Sequence, residues 1–209
     1  MSFQLPLRQF CDFGYNRRMK RWLTLTAFVG SLLLALGCYG STPPVVKLGL
    51  IAPFEERYRD DGYAALHAVR LAVQERNAAG GVAGRQVAVV ALNDNGRPDE
   101  AHQRAANLAV DRDVLGVIGP LDRATADAAG SLLTAQGLAW IPLASAAPVE
   151  QPGDWAASAY EAANRLLDAM ERAGRQRGDL TRPAVLRALT ELDAAGWLRL
   201  GTLVSRPGW

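Results

Sequence analysis

Few side chains in this sequence are spaced for bond-making chemistry, and the one with a defined covalent fate is Cys38. It closes the run MKRWLTLTAFVGSLLLALGC, Met19–Cys38. Lys20 and Arg21 form a positive head, Leu23–Leu36 is apolar apart from Thr, Gly and Ser, and Gly37 leads into the thiol. That is the layout of a bacterial export signal. Gly37-Cys38 fits the lipoprotein kind, in which the thiol receives a diacylglyceryl group and becomes the mature N-terminus, whereas Ala35 and Leu36 match that pattern less well. Trp22–Cys38 also just reaches the ~17 residues needed to cross a bilayer, so an uncleaved anchor is the competing reading. A buried core helix would leave Arg17, Arg18, Lys20 and Arg21 clustered at one end without a reason. Residues 1–18 add nothing that a signal needs, which points to Met19 as the true start.

The remaining candidates for chemistry are sparse. His67 and His102 both fall in helical stretches without metal-type spacing. Asn93-Asp94-Asn95-Gly96 begins like a calcium loop, but no glutamate follows at the required offset. No Gly-rich loop ends in Lys-Ser/Thr to cradle a phosphate. Asp60-Asp61 and Asp99-Glu100 stand at helix starts, where the helix dipole alone accounts for acids. No nucleophile–base pair supports an enzyme, and no metal or cofactor is expected.

Charge and cysteine content agree with that reading. The chain has 23 Lys plus Arg against 21 Asp plus Glu. Five of the cations (Arg8, Arg17, Arg18, Lys20, Arg21) and one anion (Asp12) lie before Cys38, leaving 18 against 20 in the 172 residues from Cys38 onward. The basic balance belongs to the leader, so nucleic acid is not an expected partner. Cys11 and Cys38 are the only cysteines. An exported domain without internal thiols must be held by its core, and 172 residues suffice for one.

Gly40-Ser41-Thr42-Pro43-Pro44 has linker composition. Beyond it, β-rich apolar runs alternate with amphipathic stretches. Strands are expected at Val45–Ile51, Gln86–Leu92, Val114–Ile118 and Leu138–Leu143. Helices are expected at Asp61–Ala78, with Asp60 or Asp61 as N-cap, from Pro98 onward, and over 124–136. This order predicts a doubly wound parallel α/β sheet in three layers, with ligand loops after the strand C-termini at 52–61, 93–98, 119–124 and 144–150. Leu50, Val89, Val117, Ile118 and Ile141 should be among its most buried residues. After a break at Gln151–Asp154, Trp155–Ala173 reads as a helix with Leu166, Leu167 and Met170 inward. Thr181 caps another helix running through Leu192, and Trp197–Val204 alternates like a last strand.

The run Lys47–Pro120 resembles the N-terminal lobe of type I periplasmic binding proteins, and within them the leucine/isoleucine/valine-binding branch. Four motifs carry the resemblance in order: Ala52-Pro53-Phe54 ending the first strand, Asn77-Ala78-Ala79-Gly80-Gly81-Val82-Ala83-Gly84-Arg85 after the first helix, Asn93-Asp94 after the second strand, and Val117-Ile118-Gly119-Pro120 after the third. Ser158–Gly174 resembles a helix lying much later in that family, so most of the second lobe has no counterpart between the two stretches. The organisation this implies is a leader and signal over 1–37, a lipid-anchor linker over 38–44, an N-terminal ligand-binding lobe over 45–150, and a C-terminal helical segment over 154–209 returning to the same lobe.

The resemblance implies an exported solute-binding component of an ABC transporter. It would be anchored to the outer face of the cytoplasmic membrane by a lipid or an uncleaved helix, and it would hand an amino acid or similar small molecule to permease subunits. A single-lobe remnant or protein-interaction module that no longer captures solute is the alternative. In the amino-acid binders, hydroxyls and backbone groups of two loops hold the ligand. Here those loops read Gly119-Pro120-Leu121-Asp122-Arg123-Ala124-Thr125 and Leu143-Ala144-Ser145-Ala146-Ala147-Pro148. Ala146 stands where a threonine hydroxyl is expected, with Ser145 as its substitute. Asp122 and Arg123 replace hydroxyls with charges. Either Arg123 forks onto a ligand carboxylate, or Asp122 caps the next helix and Arg123 is a solvated surface charge. Tyr58 and Arg59 either line the same cleft mouth or pack on the surface.

Overall fold

The computed structural model describes residues 44–143, 154–177 and 180–204. The export signal, Cys38, the linker to Pro43, and the loop carrying Ser145 and Ala146 lie outside those residues. Among the described residues no helix is long and apolar enough to cross a membrane.

The chain runs β1 (Val45–Ala52), a 3-10 turn (Glu56–Tyr58), α1 (Arg59–Ala78), β2 (Gln86–Asn93), α2 (Pro98–Val110), β3 (Val114–Ile118), α3 (Arg123–Ala135), β4 (Ala139–Ile141), α4 (Asp154–Arg177) and α5 (Arg182–Val204). The four strands form one parallel sheet in the order β2-β1-β3-β4. Alternation along β1 sends Leu48, Leu50 and Ala52 into a core shared with α1, α4 and α5. Ile51 points the other way, into a second core with Ala101, Ala105 and Leu108 of α2 and Ala129 and Leu133 of α3. The result is three layers, with helices on both faces. β3 changes phase partway: Lys47 pairs with Val114 but Leu48 pairs with Gly116, so Leu115 is the extra residue of a bulge. The shift puts Leu115 and Ile118 into the first core and Val114 and Val117 into the second.

The helices follow their apolar stripes. Ala65, Leu66, Val69, Ala72 and Val73 of α1 are buried, as are Ala162, Ala163, Leu166, Leu167 and Met170 of α4. The end of α1 is joined to β2 by Asn77, whose side-chain amide accepts from the Val87 N–H and donates to the Val87 carbonyl, both at 2.8 Å. On the opposite side of the motif, the Glu171 carboxylate of α4 accepts from the Ala83 N–H at 2.6 Å. Arg182, the first residue of α5, donates to three carbonyls around the end of α2: Ala109 at 3.0 Å, Asp111 at 2.6 Å and Val114 at 2.9 Å.

Three expectations are corrected. The segment 197–204 is the last part of α5 and not a strand. Gly196 is a single break signal before it, and a lone glycine inside a helix costs only about 1 kcal/mol, so extending the formed helix costs less than starting a strand. α1 begins at Arg59 and not Asp61, and neither Asp60 nor Asp61 is its N-cap. The chain enters from the 3-10 turn through Tyr58, which makes no side-chain cap, and both aspartates sit in the first turn, where the dipole favours them. Leu50, Val117 and Ile118 are fully buried, but Val89 and Ile141 are only partly so, because β2 and β4 are the two edges of the sheet.

Candidate ligand-binding site at the strand C-termini

β1 feeds α1 on one face of the sheet while its neighbour β3 feeds α3 on the other, so the chain leaves the two strands in opposite directions. A crevice must open between their C-terminal ends. The loop after β1 is fixed from several sides. The Phe54 N–H donates to the Asn93 side-chain oxygen at 2.8 Å, and the Asp94 N–H donates to the Ala52 carbonyl at 3.3 Å. Phe54 packs on Tyr63 with ring centroids 5.4 Å apart. Gly62 lets α1 lie directly on this turn, since a Cβ there would stand 1.7 Å from the Pro53 carbonyl oxygen.

The loop after β3 is fixed as closely. The Gly119–Pro120 peptide bond is cis, and Gly119 has φ +87°. Its N–H donates to the Ile141 carbonyl at 2.9 Å, and the Pro120 carbonyl accepts from the Leu143 N–H at 3.0 Å. A Cβ at residue 119 would come within 2.1 Å of the Ile51 carbonyl oxygen. The Val-Ile-Gly-Pro motif thus needs glycine for both its left-handed backbone and its approach to β1.

Between these loops lies a cleft of about 230 Å³ lined by Pro53, Tyr58, Asp61, Leu121, Asp122 and Trp155. Asp122 is the N-cap of α3: its carboxylate accepts from the Thr125 N–H at 3.1 Å and from the Thr125 hydroxyl. Arg123 is 78% exposed and lies 3.9 Å from Asp127, one turn along α3. It is not among the residues lining the cleft. Tyr58 lines the cleft, with the Arg57 guanidinium 5.3 Å from its ring centroid. Arg59 pairs with Asp60 at 3.6 Å. Of the residues singled out from sequence, the structure therefore brings Tyr58 and Asp122 together and leaves Arg123 outside, while Ser145 and Ala146 fall outside the described residues.

Behind the cleft, Asp94 is fully buried. One carboxylate oxygen accepts from the Gly96 N–H at 3.0 Å, and the other has no partner among the described residues. Burial pushes this carboxyl up to about 6, opposed by the Gly96 N–H and reinforced by the negative charges of Asp122 and Glu100. The neighbouring amides are tied to one another. Asn93 donates to the Asn95 side chain at 2.7 Å, Asn95 donates to Glu100 at 2.8 Å, and Arg104 donates to the Asn93 carbonyl at 2.7 Å. The described residues contain no cluster of three metal-type ligands. His67 and His102 are exposed on α1 and α2.

Sequence reasoning missed Asp61, Trp155 and Asp94 as parts of this site. Asp61 carried a usable signal, because it follows Tyr58 by three residues at a helix start, and that spacing puts two side chains on one face. Trp155 comes to the cleft from α4, a contact that no local pattern encodes.

The family model for periplasmic binding proteins matches residues 45–152. Among solved structures, the chain is similar to the branched-chain amino acid transporter substrate binding protein LivJ from Streptococcus pneumoniae, in complex with isoleucine. The identity is 28% over 50% of this chain and 30% of that one, with a TM-score of 0.47. It is similar to the leucine binding protein LivK from Thermotoga maritima at 24% identity over 50% of this chain and 29% of that one, with a TM-score of 0.45. A fatty acid ABC transporter substrate-binding protein from Thermomonospora curvata matches at 25% identity over 49% of this chain and 26% of that one, TM-score 0.45. The match thus spans less than a third of each of these proteins. No curated protein matches the chain.

Proposed function

Because the chain belongs to the periplasmic binding protein family, we propose that it is a membrane-tethered solute-binding component that works with the permease of an ABC transporter outside the cytoplasm. Its ligand in this reading is a branched-chain amino acid or a similar small molecule, taken at the crevice between β1 and β3. The observation that carries the reading is the cleft itself. It is a concave site at the point where the strand connections diverge, with apolar and aromatic walls and a few polar groups. Tyr58, Asp61, Asp122 and Trp155 would contact solute. Ser145 and Ala146, on the loop after β4, join the site on the resemblance alone. Arg123 would reach a ligand only by leaving Asp127. The binding role involves no bond-making step.

The described cleft has walls from one lobe. Contacts open to water contribute about 0 to 1 kcal/mol each, so three or four of them give a dissociation constant of about millimolar at the tightest. Titration calorimetry of the full chain in nonionic detergent with leucine, isoleucine and valine is the test. Saturable one-to-one binding near millimolar is expected. The absence of saturable binding to any of them would favour the alternative, a single-lobe interaction module. Micromolar binding by a verified monomer would mean that further residues supply a second wall.

A further inference from the structure

We propose that the cleft between β1 and β3 selects the cationic end of its ligand, an alkylammonium group with an apolar tail, and disfavours a carboxylate. The inference rests on the reading of this cleft as the solute site and adds the ligand's chemical class.

The charged groups lining the cleft are Asp61 and Asp122, and no cation lines it among the described residues. The nearby guanidinium groups have other contacts: Arg59 with Asp60, Arg123 with Asp127, and Arg57 over the ring of Tyr58. Asp61 itself forms no ion pair among the described residues and keeps partial access to solvent. A ligand carboxylate would gain most at the N-terminus of α3, where free N–H groups and the dipole attract anions. That position is already filled by the protein's own carboxylate, since Asp122 takes the Thr125 N–H and hydroxyl. A second anion there would face Asp122 directly, with buried Asp94 behind it and close enough to couple with Asp122.

The rest of the lining suits a cation with a tail. Tyr58 and Trp155 line the cleft, and aromatic rings attract ammonium groups. Pro53 and Leu121 supply apolar surface beside them. Among the described lining residues, a branched-chain amino acid finds partners for its ammonium and side chain and none for its carboxylate.

The two halves of leucine separate these contributions. 3-Methylbutan-1-amine keeps the ammonium and the tail, and 4-methylpentanoate keeps the carboxylate and the tail. Each, together with leucine, is titrated into the 15N-labelled full chain in nonionic detergent while the indole N–H of Trp155 is followed by NMR. The amine is expected to shift that resonance saturably and to bind at least about ten-fold tighter than the acid. Asp61→Asn should weaken amine binding about five-fold, and Tyr58→Leu, at an exposed ring, should weaken it about three-fold. Equal or tighter binding of the acid would overturn the cationic selection while leaving solute binding intact. Amine binding that neither variant changes would also overturn it, by placing the site elsewhere. No saturable shift with any of the three compounds would overturn both this inference and the solute-binding reading.

Discussion

Asp94 is the one buried ionisable side chain among the described residues. Its carboxyl titrates near 3.8 when the chain is unfolded and at about 6 in the fold. The folded state therefore holds this proton more tightly, and the resulting stability is fully present below pH 3.8 and lost as pH rises through 6. The shift corresponds to roughly 3 kcal/mol at most. Asp94→Asn keeps the shape and the acceptor for Gly96 but stays neutral. In urea unfolding it is expected to match the parent near pH 4 and to exceed it by about 2 kcal/mol at pH 7.5. A parent no less stable at pH 7.5 than at pH 4, relative to the variant, would contradict the assignment. Asn93-Asp94 was legible in the sequence as a motif. That one of its oxygens is buried without a partner among the described residues was not, because burial depends on tertiary packing that no local pattern encodes.

At the scale of elements, Arg182 holds the first turn of α5 against the end of α2 and the start of β3. Its guanidinium satisfies carbonyls of Ala109, Asp111 and Val114 that helix and strand leave free. Burial and the nearby Arg112 charge lower its pKa, against the pull of Asp111, yet it stays charged at every working pH. A lysine at the same position is a point donor without the fork. Arg182→Lys is expected to cost about 1 to 2 kcal/mol, and Arg182→Ala about 2 to 3, in chemical denaturation. No loss for either would mean that α5 docks by its apolar face alone. Helix phases were readable from spacing, as Leu166, Leu167 and Met170 illustrate, because burial follows the helical period. Ends were less so: the entry to α1 and the extension of α5 through 204 depend on neighbouring turns, which propensity does not encode.

For the molecule as a whole, the parallel sheet follows from alternating strand and helix signals, its strand order came only with the structure, and four motifs at fixed spacing name the lobe. The site was half legible. Tyr58 and Asp122 lie on the loops that the topology nominates, whereas Trp155 arrives from a helix about a hundred residues from Tyr58. The proposed tethering rests on the sequence alone and is open to a direct check. Cells fed labelled palmitate should incorporate it into the chain, and Cys38→Ala should abolish the label. A variant that stays membrane-bound and unprocessed would instead identify an uncleaved anchor.

Asn77 has a consequence for how copies of this chain behave toward one another. β2 is an edge of the sheet, and the backbone groups of Val87 and Asn93 point away from β1. Asn77 occupies both groups of Val87, and Arg104 occupies the Asn93 carbonyl. The opposite edge, β4, is only three residues long. A foreign strand seeking to extend the sheet would find one border blocked at each end and the other too short to template it. An exposed run of backbone donors and acceptors is the usual seed of aggregation. Here two side chains from the flanking helices occupy the two ends of that run.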